Sequence, residues 1–478
     1  MMKHRKRVLI LIDQATRDGV SQLLIAHYLR RHGVTVTLAN QATFVPLCEA
    51  MKPDLVYVSW VPGGGFADYL SLPRMRSRVR VVLVDQEGAR IGEEPFKRTF
   101  RVRGGAKAQF GRLAQKICVW GTWQAQWLLE LGIVREEQLV ITGCPKLDPY
   151  TLSWQRSPSV DRYVGCTFRY ERLTSQPERV MEHIFEYLEG FPSMGYPEWA
   201  QHEDRLWHAA AVARHMFKFM TAISERLTVR MVVRPGPWER VRLYDFLPQQ
   251  LARVSVDSRS LQHEYVRNAA VLLDECSTLG LEALIAGVPV VSVQRMVPRL
   301  EEHIGGQGGG YYHAPFLAFY WKPRSINEGM NLVEQALHGQ LAATADPQGF
   351  DAYLRGMLDW PTQRPAAFRV GDVLLEQLEL PPAVEPQAGV CEEPQDQRVR
   401  RAVFRAVPGA TVIPRARFWW SCVRSPQRDL LLRYHYFRTT YPHYQTVRQL
   451  FQLLQAGAMQ PTTPDLATKG VHAEAVAS

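Results

Sequence analysis

Eleven short apolar runs, spaced along the first 300 residues and separated by helix-like stretches, constrain this chain more than any other feature. The first six are "RVLILID" (7–13), "VTVTLA" (34–39), "LVYVSW" (55–60), "VRVVLVD" (79–85), "ICVW" (117–120) and "LVITG" (139–143). The next five are "DRYVGCTF" (161–168), "VRMVVRP" (229–235), "VSVD" (254–257), "AAVLLDE" (269–275) and "PVVSV" (289–293). Each has the length and β-rich content of a strand, and most are continuous instead of alternating. A strand of that kind is buried on both faces, as in a parallel sheet covered by helices on each side. Between the first two runs, "ATRDGVSQLLIAHYLRRHG" carries Leu23, Leu24, Ala26, His27 and Leu29 at helical spacing, and Gly33 supplies the stop.

A chain of 478 residues exceeds one ordinary core. The expected architecture is α/β, with two consecutive doubly wound, Rossmann-like domains facing a cleft. The first covers residues 1–155 and the second 156–325. A helical closing segment follows at 326–385, and a linker with a basic aromatic tail fills 386–478.

Composition narrows the class. Hydrophobic content of 46% and charged content of 22% are those of a globular protein. The start, "MMKHRKRVLILID", has the basic flank of a signal peptide, but its apolar run meets Asp13 early and no small-residue cleavage site follows, so it reads as a first strand. No run reaches the roughly 18 apolar residues of a spanning helix. The seven cysteines are scattered without a CxxC or Cys/His cluster, which indicates reduced thiols and no metal site. A cytoplasmic protein is expected. The net charge of +10 is concentrated late: from Arg398 to Arg448 there are eleven arginines and one acid, Asp429, among "RFWW" and "RYHYFRTTYPHY". That tail suits either peripheral contact with the anionic inner face of the plasma membrane or packing on its own protein; nucleic acid is the less expected partner.

Chemistry gathers in "DECSTLGLEALIAGVPVVSV" (274–293). A strand ends near Asp274, a helix runs from about Leu279 to Ala286, Gly287 stops it, and Pro289 opens the next strand. Ser277 or Thr278 then falls at the helix N-cap, beside free backbone N–H groups and the positive end of the dipole. Plain capping explains such residues. So does an anion, with Gly280 allowing close approach of a phosphate and Glu282 accepting bonds from sugar hydroxyls. "VVRPGPWER" (232–240) ends a strand of the same domain, placing Arg234 at the same carboxyl edge, where a guanidinium either clamps a diphosphate or pairs with a neighbouring carboxylate.

Together with "VLILIDQATRD", "VVLVDQEGA", "ICVWGTWQAQWLLELG" and "LVITGCPKLD", these segments resemble, in order and across about residues 7 to 295, the GT-B-fold glycosyltransferases of bacterial capsule and exopolysaccharide biosynthesis. The resemblance implies a nucleotide-diphosphate sugar as substrate, no bound cofactor, and Ser277, Thr278 and Glu282 on the diphosphate and sugar with Arg234 nearby. Such proteins commonly carry a histidine inside the Arg-Pro-x-Pro segment, where this chain has Gly236; that work falls to another residue such as His263, or is absent. The tail lies outside the resemblance.

In the first domain, "DQATRDG" (13–19) follows the first strand, so Asp13, Arg17 and Asp18 are expected in its ligand-side loop. "PGGGF" (62–66) follows the third strand as a close-approach or ordinary loop. "DQEGA" (85–89) places Glu87 at the cleft as general base for an acceptor hydroxyl, with Asp13 as second choice, set against a capping or ion-pair role. "GCPKLD" (143–148) reads as a hinge in which Lys146 is a candidate phosphate contact. "HIGGQGGGYYH" (303–313) is a cleft-lining or surface loop; without a lysine and following Ser/Thr it is no P-loop. The expected function is metal-independent sugar transfer to a lipid-linked or saccharide acceptor in surface polysaccharide assembly. The alternatives are a nucleotide-sugar 2-epimerase, a CDP-polyol phosphotransferase, and a non-catalytic assembly protein of the same fold.

Overall fold

The computed structural model describes residues 5–379 except 13–14, 41–42, 60–68, 85–91, 94–95, 98–110, 152–161, 168–199, 237–238, 240, 298–314 and 362–363. All eleven apolar runs form strands. The first six are β1 (Arg7–Leu11), β2 (Thr35–Ala39), β3 (Leu55–Ser59), β4 (Arg80–Val84), β5 (Lys116–Val119) and β6 (Leu139–Ile141). The rest are β7 (Tyr163–Thr167), β8 (Met231–Arg234), β9 (Val254–Val256), β10 (Ala269–Leu273) and β11 (Val290–Val291). They build two sheets, ordered β2-β1-β3-β4-β5-β6 and β11-β10-β7-β8-β9, with every pairing parallel.

Alternate residues of the first sheet enter different cores, as the two-residue strand period requires. Val8, Ile10, Tyr57 and Val82 face one side; Leu9, Leu11, Val56 and Leu83 face the other. Helix α1 (Ala15–Arg31) covers the first side and ends where Gly33 takes a φ of +77°. Because α1 begins at Ala15, Arg17 and Asp18 sit in its first turn and not in a loop, which corrects the sequence expectation. Helices α2 (Phe44–Met51) and α3 (Thr122–Glu130) pack on the other side. The second sheet is likewise covered twice. Helix α4 (Ala200–Arg226) buries Phe219 and Ile223 against Val164, Met231 and Val271, while α5 (Gln262–Asn268) and α6 (Thr278–Ile285) pack against the opposite face. The fold is therefore α/β with two Rossmann-like domains, in the strand-helix alternation expected of the GT-B architecture.

The closing helices separate by destination. Helix α7 (Ile326–Leu337) adds Met330 and Val333 to the core of the second sheet. Helix α8 (Pro347–Leu358) docks on α3, with Trp123 edge-on to Tyr353. Helix α9 (Ala366–Gln377) returns to the first domain, where Phe368, Val370 and Leu374 share a core with α1. Its first two N–H groups are capped by Asp148, 218 and 219 residues earlier, at 2.8 and 2.7 Å. Tyr28 donates to Asp372 at 2.6 Å on the same contact. The polypeptide thus crosses between domains twice, and Asp148 ties the two crossings together.

The α3–α8 contact depends on two glycines. A Cβ on Gly121 would lie 2.5 Å from the Gly356 carbonyl oxygen, and one on Gly356 would lie 2.2 Å from the Trp123 ring. Backbone atoms cannot yield as a flexible side chain can. Gly121→Ala is expected to lower stability by about 1–3 kcal/mol, read as a lower urea midpoint at unchanged slope.

Candidate functional site

In the second sheet the chain winds outward in both directions from β7. Strands β8 and β9 lie on one side and β10 and β11 on the other, so the order reverses between β7 and β10. Ligands of open parallel sheets bind beyond the carboxyl ends at such a reversal. Three strand ends meet there. Cys166 pairs with Leu273 and Thr167 with Arg234, so Arg234, Thr167 and the Leu273–Asp274 step sit side by side.

Asp274 organises the reversal. It is 1% exposed and accepts hydrogen bonds from the Ser277 backbone N–H (2.9 Å), the Ser277 hydroxyl (2.5 Å), the Tyr320 hydroxyl (2.8 Å) and the Thr167 hydroxyl. Burial pushes its carboxyl above the ordinary range, against the pull of the Ser277, Thr167 and Tyr320 bonds. Ser277 is the N-cap residue of α6, with extended backbone, yet its hydroxyl accepts no helix N–H; it donates to Asp274 instead. Side-chain capping therefore does not account for this serine. Thr278 is the first helical residue, and both hydroxyl residues are partly exposed. Gly280 is buried, and a Cβ there would lie 1.7 Å from the Tyr320 hydroxyl, so its missing side chain makes room for Tyr320.

Arg234 is half-buried at the end of β8. Its guanidinium carbon lies 5.3 Å from the centroid of the Tyr265 ring, and Nη1 donates to the Ser260 hydroxyl at 3.4 Å. Among the described residues no carboxylate is within ion-pair distance of it. Nearby Asp257 is held below the ordinary carboxylate range: burial works to raise it, but bonds from Ser260 and the Arg259 N–H and the charge of Arg234 outweigh that. His263, on α5, is 3% exposed; burial first, then the charges of Arg267 and Arg234, bring it down to about 4, so it is neutral at pH 7.

Glu282 and Lys146, both singled out in the sequence for ligand contact, lie against each other at 3.2 Å with side chains 2% and 8% exposed. Glu282 also accepts from the Tyr150 hydroxyl at 2.7 Å and from the Gln262 amide at 2.8 and 2.9 Å. Tyr150 and Lys146 belong to the connection between the domains, and Arg267 binds the Pro149 carbonyl there at 2.6 Å. In this arrangement the Glu282 carboxylate spends its acceptor positions on protein donors and joins the connection to α6.

Asp13 and Glu87 lie outside the described residues, as do the loops at 62–66 and 303–313 and the tail; of Arg17 only the backbone is described. Gly236 is described, and its N–H donates to Glu239. Sequence reasoning gave no role to Asp274, although it ends an apolar run, nor to Tyr320, Gln262 or Tyr265, whose contacts come from distant segments. Among the described residues no three His, Cys, Asp or Glu side chains are grouped to hold a metal ion, and no helix is long and apolar enough to cross a membrane.

No protein-family model matches the chain, and no curated protein matches it. Solved structures of similar shape exist at low identity. The UDP-GlcNAc 2-epimerase of Methanocaldococcus jannaschii, in complex with UDP-GlcNAc and UDP, is 11% identical, with 73% of this chain and 98% of that one covered and a TM-score of 0.44. A variant of the wall teichoic acid polymerase TagF is 9% identical over 78% and 89% of the two chains, with a TM-score of 0.48. The glycotransferase of kitacinnamycin is 13% identical over 78% and 100%, with a TM-score of 0.42. The fold assignment rests on the strand order and connectivity described above.

Proposed function

We propose that the second domain binds a nucleoside-diphosphate sugar and that the chain transfers the sugar to an acceptor held by the first domain. The observation that carries the reading is that Arg234 ends β8 and α6 begins just beyond β10, the two strands that flank β7 beside the point where the strand order reverses. The helix end offers backbone N–H donors and a positive dipole; Arg234 offers a planar fork of donors that, among the described residues, no carboxylate holds at ion-pair distance. Charge developing on the departing diphosphate would be stabilised by these groups, with no metal ion required for that work. An acceptor hydroxyl would attack the anomeric carbon while a first-domain carboxylate, Glu87 or Asp13, takes its proton. Thr278 is assigned to phosphate. Ser277, its proton committed to Asp274, is assigned as an acceptor for a ligand hydroxyl. Surface polysaccharide assembly on a lipid-linked or saccharide acceptor, with the basic tail on the inner face of the membrane, is the setting we assign to it.

A second reading, a nucleotide-binding assembly protein without turnover, is favoured by one observation. The Arg-Pro-Gly-Pro segment carries no imidazole, and His263 is buried and neutral. Incubation with labelled nucleotide sugars, with and without saccharide acceptors and with a chelator present, separates the possibilities. Acceptor-dependent transfer that survives chelation is the expected result. An epimer formed without acceptor indicates the 2-epimerase alternative, polyol phosphate moved from a CDP donor the phosphotransferase, and binding without product the assembly protein.

A further inference from the structure

On the face of the second sheet that α5 covers, two arginines stack on two tyrosine rings that are tilted against each other by 44°. Positions 230, 232 and 234 share that face by the strand period. The Arg230 guanidinium carbon lies 5.2 Å from the Tyr163 ring centroid, the Tyr163 and Tyr265 centroids are 5.7 Å apart, and Arg234 lies 5.3 Å from Tyr265. Tyr265 is fixed at both ends. Its backbone belongs to α5, and its hydroxyl shares its one proton between the carbonyls of Val232 at 2.9 Å and Cys166 at 3.1 Å, inside the sheet. Gly165 makes room for it, since a Cβ there would lie 3.0 Å from the Tyr265 hydroxyl.

Arg234 has a long side chain and few other restraints: a 3.4 Å bond to Ser260, whose own hydroxyl donates to Asp257. A ring attracts a guanidinium through its face and leaves the N–H donors free, whereas a carboxylate would consume them. We infer that Tyr265 is the positioning residue for Arg234, holding its guanidinium at the end of β8 with its donors available to a ligand anion. The inference rests on the reading that Arg234 contacts a diphosphate.

Calorimetric titration with UDP, GDP and CDP, carrying the best binder forward beside its parent nucleoside, tests both. Tyr265→Phe keeps the ring and is expected to bind within about twofold of wild type. Tyr265→Leu is expected to lose roughly three- to thirtyfold on the nucleoside diphosphate and nothing on the nucleoside. In Arg234→Ala/Tyr265→Leu the losses are expected not to multiply. Losses that multiply, or a folded Tyr265→Leu that binds as wild type, overturn the inference. Should Tyr265→Leu fail to fold, the wild-type protein gives the answer by NMR: ring-current shielding places the Arg234 δ-methylene protons upfield, and unshifted signals overturn the stack. Arg234→Ala binding the diphosphate as wild type overturns the diphosphate reading itself, and the role of Tyr265 with it.

Discussion

Glu282→Ala is expected to destabilise the protein by about 3–5 kcal/mol, the cost of leaving one member of a buried ion pair without its counter-charge. The Lys146 side chain is 8% exposed, with the Trp120 ring 5.8 Å away and Glu282 at 3.2 Å. The same change strips the acceptor from the Tyr150 hydroxyl and the Gln262 amide, both of which bind Glu282. Each buried donor left unsatisfied adds roughly 1–3 kcal/mol, although these terms overlap and do not sum. Since domains are stable by only about 5–15 kcal/mol, the effect is a large share of the total. Replacing both charges, as in Lys146→Met/Glu282→Leu, is expected to recover the part of the loss that comes from the unpaired charge, while the Tyr150 hydroxyl and the Gln262 amide stay without their acceptor. Urea unfolding of the three proteins decides it. A Glu282→Ala protein within 1 kcal/mol of wild type would show that Lys146 reaches solvent or another partner.

The second large effect is a compensation in acid. Burial pushes the Asp148 carboxyl up to about 7, against the Ala367 and Ala366 N–H groups and Arg369 that hold it down, while His263 is brought down to about 4. The signs are opposite. The folded protein takes up the Asp148 proton below about pH 7, but the unfolded chain only near the ordinary aspartate value, so this group's contribution is lost as pH rises through 7. His263 resists protonation when folded, so its contribution is lost as pH falls from about 6.5 towards 4. Each term is on the order of 3–4 kcal/mol, and between pH 4 and 6.5 they oppose. Relative to wild type, Asp148→Asn is therefore expected to become progressively less stable on acidification through that window, and His263→Gln progressively more stable. Comparing each variant with wild type at every pH cancels the other titrating groups. Parallel pH profiles for all three would contradict the assignment.

Much of the fold was legible because most of its strands are continuous apolar runs, with the alternating runs of β2 and β9 lying at the sheet edges. That property follows from burial on both faces; those two edge strands were located by their length and β-branched residues instead. The destination of α9 was not legible: its apolar face fits either domain, and the Tyr28–Asp372 and Asp148–Ala366 contacts that decide it span 344 and 218 residues. The site divides in the same way. Arg234, Ser277 and Thr278 were placed at the strand ends because a strand-to-helix junction is a local pattern. Their partners were not, because Asp274 is completed by Thr167 and Tyr320 from other segments. Glu282 shows the limit most plainly. An acid near a strand-to-helix junction has the local signature of a ligand contact, but α6 starts at Thr278 and puts Glu282 past its first turn, and only the return of the domain connection supplies Lys146 and Tyr150 to it.

The central claim is that the edge formed by Arg234 and the amino end of α6 holds a diphosphate. Titration of wild type and Arg234→Ala with UDP, GDP and CDP, without divalent metal, tests it most directly. The account predicts that at least one nucleoside diphosphate binds with a dissociation constant of about a millimolar or below, and that Arg234→Ala weakens it about tenfold or more while leaving the parent nucleoside unchanged. Absence of binding to all three, or equal affinity in Arg234→Ala, would contradict it.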